Sequence, residues 1–138
     1  MIEVAAKKLG CKLEALGDEG ELLYMRIPIE NNRTQHIFAV VVKGNKYIRF
    51  LSYYGPASIL TIELATILLE SNLYFTGVAH SIADFDWGDG KGSVPSLAIV
   101  GEQLIATADL DEIVDKIRNV AEQADKYEKL VLKGLDYC

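Results

Sequence analysis

Two histidines occur in the chain, His36 and His80, and they are the first candidates for acid–base chemistry. A catalytic imidazole needs a carboxylate or another reacting group within hydrogen-bond reach. Asp84 follows His80 by four residues in a segment that favours a strand, so both side chains point to one face, roughly 13 Å apart along the backbone. Because that gap is too long for a direct hydrogen bond, we expect no catalytic residue and no enzyme.

Other kinds of catalysis leave motifs that this sequence lacks. There is no GxSxG nucleophile elbow and no local cysteine–histidine signature of a thiol hydrolase. Neither a phosphate-binding P-loop nor the GxGxxG dinucleotide fingerprint occurs. We therefore expect no cofactor, and nucleotide binding has no support in the sequence.

The acidic segment 84–92 looks at first like a calcium loop, since hard cations prefer closely spaced carboxylates. The register does not fit. The loop pattern requires an acid at 88 and glycine at 89, but the chain has Gly88 and Asp89, and Pro95 stands where the bidentate glutamate belongs. We expect a solvated hairpin turn here and no metal site.

The cysteines and the chain ends indicate the cellular compartment in which we expect the protein. Cys11 and Cys138 are far apart and form no CxxC pair, so we expect two free thiols in a reducing environment. The first residues lack the basic and apolar regions of a signal peptide, and no run approaches the ~18 apolar residues of a spanning helix. These features predict a cytoplasmic protein that does not enter a membrane.

Length and charge set further limits. With 138 residues, of which 50% are hydrophobic and 25% charged, the chain is expected to form a single domain over residues 1–138. The net charge of -6 disfavours a nucleic-acid partner and an anionic membrane surface, because both attract basic proteins.

Periodicity and turn residues predict three helices and an antiparallel sheet. Strands joined by tight turns indicate a meander rather than parallel crossovers. The fold class is therefore α+β, a meander plus a hairpin with helices packed on the sheet, in the order α-β-β-β-α-β-β-α. The predicted helices cover 2–10, 56–71 and a long segment from Leu110 to a stop at Gly134, and the predicted strands lie at 21–29, 34–43, 46–54, 74–85 and 94–100, with a possible short strand at 12–16.

Three of these elements carry specific expectations. The strand centred on 37–42 is apolar on both faces, which is typical of a strand covered on both sides. Helix 56–71 is apolar almost all round, so one side can face its own sheet and another must face something else. On the long helix, acid-first pairs such as Asp125 and Lys129 predict a solvated face opposite an apolar stripe.

Two segments resemble the YbjN-like family, small bacterial proteins with the type III secretion chaperone-like fold. The first is LLESNL at 68–73 followed by GVAH at 77–80, and the second is VAEQADKYE at 120–128. The resemblance covers about residues 20 to 132. The glycine-rich turn at 86–93 is a departure for which the family offers no counterpart.

The resemblance implies binding rather than chemistry. Secretion chaperones of this fold are acidic cytoplasmic homodimers that hold an extended segment of a partner protein. YbjN-like proteins are linked to regulatory roles without a clear reaction. The family motif contains no catalytic residue, so none is transferred to this chain.

Two functions follow as hypotheses. The first is a chaperone-like, adaptor or regulatory protein that binds a partner polypeptide as a homodimer. Its interface residues are expected to be Ile59, Ile62, Thr66, Leu69 and Trp87. Trp87 either folds back on the sheet or serves as a contact anchor.

The second hypothesis is a regulatory protein that senses a small ligand. Its pocket would lie between the sheet and the helices. The polar side chains expected to line this pocket are Tyr74, His80 and Asp84.

Overall fold

The computed structural model describes residues 2–16, 22–30, 32–42, 44 and 46–136, with the backbone alone at 132–136. This part of the chain contains three helices and six strands. The helices are α1 (Ile2–Lys8), α2 (Ile62–Asn72) and α3 (Leu110–Asp136), and the strands are β1 (Leu13–Leu16), β2 (Leu22–Ile29), β3 (Arg33–Val42), β4 (Tyr47–Pro56), β5 (Val78–Asp86) and β6 (Ser93–Leu104).

All six strands form one antiparallel sheet in the order β1-β2-β3-β4-β6-β5. The meander β1 to β4 is followed by the hairpin β5–β6, whose second strand pairs with β4. The expected α+β class is confirmed. The short segment at 12–16 pairs with β2, so four strands precede α2 where the predicted order counts three.

The core lies between one face of the sheet and the helices. Helix α3 packs against β2 to β6, and α1 packs against α3. The apolar stripe of α3 is largely buried as predicted, with the exception of Leu130, which is 44% exposed. The fully buried side chains that form this layer include Met25, Ile37, Phe50 and Ile99 from the sheet and Ile113, Ile117 and Val120 from α3.

The outer face of the sheet differs from the prediction that β3 is covered on both sides. Phe38 and Val40 lie on this face and are only half-buried, because their neighbours are side chains of adjacent strands rather than a helix. When both faces of a strand are apolar, one face is covered by the core. The other apolar face need not be covered.

The second helix starts later than the predicted position 56. Strand β4 continues to Pro56, whose φ of -71° and ψ of 145° are extended, and a 3₁₀ turn follows at Ala57–Ile59. Helix α2 begins after Thr61, whose side chain accepts a hydrogen bond of 3.0 Å from the backbone N–H of Leu64. The side chain of Thr61 thus satisfies one of the backbone N–H groups that have no partner in the first turn of a helix. Pro56 cannot reach this N–H, so Thr61 sets the start of α2.

Helix α3 begins as the sequence predicts and ends later. Asp109 accepts from the backbone N–H of Glu112 at 2.8 Å, and Glu112 accepts from that of Asp109 at 3.2 Å, which is a reciprocal capping box. The helix passes through Gly134 and ends at Asp136. A single glycine costs only about 1 kcal/mol in a helix, which a long helix can absorb.

Asp125 departs from the predicted solvated face of α3. The expected pair with Lys129 forms at 3.2 Å, but the Asp125 side chain is buried and also binds Arg33 of β3 at 2.7 Å. The prediction of a solvated face is wrong at Asp125 because its partner, Arg33, is far away in the sequence. The periodicity of a helix carries no information about a residue of β3 that reaches it.

Some sequence predictions fall outside the described residues. These are the turn at 17–20, Asn45 of the turn at 44–45, and the thiol of Cys138. Cys11 is a free thiol that donates a hydrogen bond of 3.2 Å to the carbonyl oxygen of Ala6. Of the helices that the structure describes, none is both long and apolar enough to cross a membrane.

Candidate binding surfaces

Aromatic side chains from four strands meet on the outer face of the sheet. Strand alternation places them on this side, opposite the helices. With Glu14 and Leu16 of β1 they enclose a groove of about 480 Å³, which we call the aromatic groove. Its rings are those of Tyr24, His36, Phe38, Tyr53, Phe85 and Trp87.

The rings form one continuous cluster. Phe38 lies in the middle, with its centroid 5.3 Å from that of Tyr24 and 5.9 Å from that of Tyr53. Tyr53 stacks on Phe85 at 4.2 Å, and Trp87 packs edge-on against Phe85 at 4.9 Å. Contacts of this geometry contribute about 0.5–1.5 kcal/mol each beyond area burial, so the cluster is a fixed surface.

Small residues on β6 allow this cluster to close. Tyr53 and Phe85 belong to β4 and β5, and β6 runs between them. Tyr53 lies opposite Ala98 of β6 and Phe85 lies opposite Val94, with Ser96 between these two on the same face; Ala98 and Ser96 are fully buried. Because neither side chain rises far above the sheet, Tyr53 and Phe85 can stack over it.

Most polar tips of the groove are already bonded within the protein. The hydroxyl of Tyr24 is hydrogen-bonded to Nδ1 of His36, and the indole N–H of Trp87 donates to Oγ of Ser96 at 2.9 Å. Burial, followed by the charge of Arg26, lowers the pKa of His36, so its imidazole is neutral at pH 7. The groove therefore presents mainly ring surfaces.

Trp87 combines both roles that the sequence left open. Its ring is folded back on the sheet through Phe85 and Ser96, yet 39% of the residue remains exposed. It lies on the outer face, whereas α2 packs on the helical face beside β5. Trp87 therefore cannot share one continuous surface with the other expected interface residues.

A second apolar surface lies on α2. Ile62, Thr66, Leu69 and Leu73 recur at helical spacing, and we call them the α2 stripe. Ile62 is 88% exposed, Leu69 70% and Leu73 80%. The hydroxyl of Thr66 donates to the carbonyl oxygen of Ile62 at 2.8 Å, so its methyl group is what the stripe presents.

Ile59 is placed differently from the rest of the expected interface. It lies in the 3₁₀ turn before α2, is half-buried and packs against the core. The expected set of five thus divides among three places. These are the α2 stripe with Ile62, Thr66 and Leu69, the core margin with Ile59, and the aromatic groove with Trp87.

The residues expected to line a ligand pocket are also not brought together. Tyr74 is 82% exposed and Asp84 is exposed near the end of β5. His80 alone lies between the sheet and the helices, packed against the rings of Tyr54, Phe75 and Tyr127.

The backbone N–H of His80 donates to Oδ1 of Asn72 at 2.6 Å, and its imidazole makes one hydrogen bond. Its Nδ1 lies 2.8 Å from the hydroxyl of Tyr54, while its Nε2 is buried and has no partner within the described residues. Burial lowers the pKa of His80 to about 4, so the imidazole is neutral at pH 7.

The acidic turn after β5 uses its carboxylates locally. Asp86 accepts from the backbone N–H of Gly88 at 2.9 Å, and Asp89 accepts from that of Lys91 at 3.0 Å. Such Asx turns stabilise a tight loop. Among the described residues, no three acidic, histidine or cysteine side chains lie close enough together to hold a metal ion.

Sequence reasoning did not assemble the aromatic groove, although part of its signal is present. Within β2 to β4 the aromatic residues of the groove fall at positions that alternate with core residues, so each of these strands marks its outer face. In β5 this signal is missing, because Phe85 stands between two exposed aspartates. What the sequence lacks is the strand order, which places β5 two strands away from β4 and brings Phe85 to Tyr53.

Comparison with known proteins finds similarity at the level of structure. No family model matches the chain, and the search of curated proteins finds no match. The chain is similar to the crystal structure of YbjN from E. coli, a protein for which a role as a transcription regulator has been proposed. The TM-score is 0.59 at 13% sequence identity, over 99% of this chain and 89% of the other. The expected YbjN-like resemblance is confirmed for the fold.

Proposed function

We propose that this protein is a non-enzymatic binding module, an adaptor or regulator of the chaperone-like kind. It works as a homodimer and holds an extended segment of a partner polypeptide. The free thiol of Cys11 fits the reducing cytoplasm, where we place the protein.

The observation that carries this proposal is the apolar surface that the described part of the chain leaves uncovered. The aromatic groove and the α2 stripe lie on opposite sides of the sheet, and neither is packed against another element. Contiguous exposed apolar surface of this kind marks interaction sites. Two separate surfaces fit two different contacts, one with a second copy and one with the partner.

We assign the α2 stripe to the second copy. All four of its side chains are uncharged, so two antiparallel α2 helices can pack stripe against stripe about a two-fold axis. Glu63 and Glu70 lie on one side of α2, next to the stripe but not part of it. The pairing buries apolar side chains without burying a charge, which is what a stable isologous interface requires.

We assign the aromatic groove to the partner polypeptide. Its walls are ring faces with bonded polar tips, a lining that suits proline and other apolar side chains of an extended segment. Glu14 is the charged residue in this lining, so a basic residue beside the prolines is expected to favour binding.

A regulatory role, as proposed for YbjN, would be exercised through protein contacts in this molecule. Aromatic rings on a sheet can also stack with nucleic-acid bases. Proteins that bind nucleic acid in this way, however, surround the rings with basic residues. The net charge of -6 disfavours phosphate contacts. A polypeptide is therefore the better occupant of the groove.

The test uses the single tryptophan, which lines the groove. A proline-rich decapeptide with one lysine is titrated into the protein while Trp87 fluorescence is recorded. We expect a saturable change that is absent with a peptide in which serine replaces proline. Phe85→Ala, which removes the ring between Tyr53 and Trp87, should weaken binding at least about tenfold, as loss of an aromatic anchor does.

Tyr74→Ala is the matched control, because Tyr74 is an exposed aromatic residue outside the groove. It should leave the affinity for the peptide unchanged. If the proline-rich peptide gives no saturable change, or if Phe85→Ala and Tyr74→Ala bind it equally well, the assignment of the groove is wrong.

A further inference from the structure

Strand β5 forms one edge of the sheet, and β6 is its neighbour on the inner side. In an antiparallel sheet, successive residues turn their backbone groups alternately to the two sides of their strand. The backbone N–H of Ile105, just after β6, donates to the carbonyl oxygen of Lys46, just before β4, so the odd-numbered residues of β6 face β4 and the even-numbered ones face β5. It follows from the register that residues 78, 80, 82, 84 and 86 of β5 turn their backbone groups away from the sheet.

The first part of this edge is covered and the second part is open. The outward N–H of His80 donates to Oδ1 of Asn72, at the end of α2, which agrees with the direction given by the register. The hydroxyl of Tyr53 donates to the carbonyl oxygen of Asp84 at 3.4 Å, and this oxygen keeps a second lone pair. Within the described residues, the outward groups of Ile82 and Asp84 have no other hydrogen-bond partner.

The opposite edge of the sheet is protected against pairing, and β5 is not protected in the same way. Strand β1 has four residues, and the part of β2 that extends beyond it carries Arg26 and Pro28. Short edge strands, basic side chains and prolines are the usual means of preventing another strand from adding to an edge. Strand β5 has nine residues without proline, lysine or arginine. It is the edge of this sheet that can accept a further strand.

The charges of this edge decide which strand can pair with it. Asp84 and Asp86 alternate with Phe85 and are both exposed, and neither forms an ion pair with a basic side chain within the described residues. Because the N–H of His80 is already bonded, a second copy could use the whole of 82–86 only with Asp84 opposite Asp84. Like charges directly opposite one another destabilise a strand pair, and opposite charges stabilise it. The edge therefore disfavours its own copy and favours a basic strand.

We propose that the edge of β5 from Ile82 to Asp86 binds a basic, extended segment of another polypeptide, which adds to the sheet as a further antiparallel strand. Backbone hydrogen bonds to the outward groups provide the affinity, and the side chains of the segment select it. Read along the partner, a basic residue lies opposite Asp86, a second one opposite Asp84, and an apolar residue opposite Ile82, which is 56% exposed. This proposal does not rest on the assignment of the aromatic groove, because it uses the backbone of β5 and the side chains that alternate with the groove residues.

The test uses a heptapeptide with blocked ends and the sequence TKTKTVT. In the antiparallel register its lysines lie opposite Asp86 and Asp84, and its valine lies opposite Ile82. Binding is followed by backbone amide shifts, and hydrogen exchange is measured at the amides of Ile82 and Asp84. We expect saturable binding that slows exchange at both amides, that weakens as salt is added, and that is absent when glutamate replaces both lysines.

Two changes test the backbone ladder separately from charge. Ile82→Pro removes an N–H that faces away from β6, so the fold should tolerate it, as edge strands tolerate proline, and the affinity for the peptide should fall at least about tenfold. Ile82→Val keeps this N–H and is the matched control, which should bind as the wild type does. In the peptide, methylation of the valine nitrogen should prevent binding, whereas methylation of the preceding threonine nitrogen, which faces away from β5, should not.

A charge exchange tests the choice of partner. Asp84→Lys/Asp86→Lys should lose the lysine peptide and bind the glutamate peptide instead. Asp89→Lys changes the charge of the neighbouring turn outside the ladder, so it should weaken the lysine peptide less than the double variant does. No saturable binding of the lysine peptide would overturn the proposal and leave Asp84 and Asp86 as protection of the edge alone. Equal binding of the two methylated peptides would overturn it as well, because attraction between charges does not depend on the ladder.

Discussion

His80 shows how one residue can link the sheet to its covering helix. Its neighbours Tyr54 and Tyr127 come from β4 and α3, so the imidazole touches both layers of the core. A histidine buried among rings is stabilised only in its neutral form. The stability of the protein should therefore depend on pH through this residue.

The direction of that dependence follows from the two pKa values. The ordinary value of 6.5 applies to the unfolded chain, and burial lowers the folded value to about 4. The unfolded state thus takes up a proton first as the pH falls. The stabilising contribution is complete above 6.5 and is lost as the pH falls from 6.5 towards 4.

We expect His80→Gln to flatten this part of the stability curve. In urea unfolding, the free energy of unfolding of the wild type should fall by about 2 kcal/mol more than that of the variant between about pH 7 and about pH 4.5. This figure allows for the partly exposed ring. His36→Gln serves as the comparison, because His36 is exposed on the outer face. Parallel curves for the wild type and His80→Gln would show that His80 does not titrate on unfolding.

At the scale of elements, the two main helices differ in what their sequences reveal. Helix α3 has an apolar stripe and a capping box, and the structure confirms both. Helix α2 is apolar nearly all round, and the prediction that it is buried on more than one side is not met within the single chain, where Leu68 is its buried residue. Composition shows that a helix has apolar sides but cannot show whether this chain or another covers them.

Helix α3 is also tied to β3 through charged and polar groups. Asp125 binds Arg33 at 2.7 Å, and Glu128 accepts from Gln35 at 2.7 Å. Burial alone would raise the pKa of Asp125, but hydrogen bonds and charges from Arg33 and Lys129 outweigh it and hold the pKa below its ordinary value. The carboxylate form of Asp125 therefore stabilises the docked helix.

We expect Asp125→Asn to destabilise the protein by about 2 kcal/mol at neutral pH, because it leaves Arg33 without its buried counter-charge. The loss should shrink as the pH falls through the depressed pKa of Asp125, where the wild type is protonated as well. Urea unfolding at several pH values measures both effects.

Asp115→Asn is the matched control on the same helix. Asp115 pairs with Arg118 at 4.0 Å on the surface, and surface pairs contribute about 0–1 kcal/mol. Asp115→Asn should therefore lose less stability than Asp125→Asn at neutral pH. Equal losses would mean that the contact with β3 is not what fixes α3.

At the scale of the whole molecule, the sequence predicts the elements better than their arrangement. Alternation and turn residues locate the meander and the hairpin, because those signals are local. The pairing of β6 with β4 is not local, and neither is the choice of one face for all three helices. The aromatic groove and the ring cluster around His80 depend on that arrangement, so their residues could be named singly but not grouped.

Two copies of the molecule should form the stable unit. If the α2 stripe pairs two chains, light scattering should give the mass of a dimer, and Ile62→Asp/Thr66→Asp should give a monomer, because four aspartates would face one another across the two-fold axis. Leu130→Asp is the control, since Leu130 is an exposed leucine of α3 outside the stripe. That variant should stay dimeric.

Thermal unfolding tests the same pairing without relying on mass alone. Dissociation before or during unfolding makes the midpoint temperature depend on protein concentration. The wild type and Leu130→Asp should each gain about 2–4 °C for a tenfold rise in concentration, whereas Ile62→Asp/Thr66→Asp should gain nothing. A wild-type midpoint that does not move with concentration, together with a monomer mass, would leave α2 unpaired. In that case the apolar stripe would be free for a different protein, and the aromatic groove would act from a single chain.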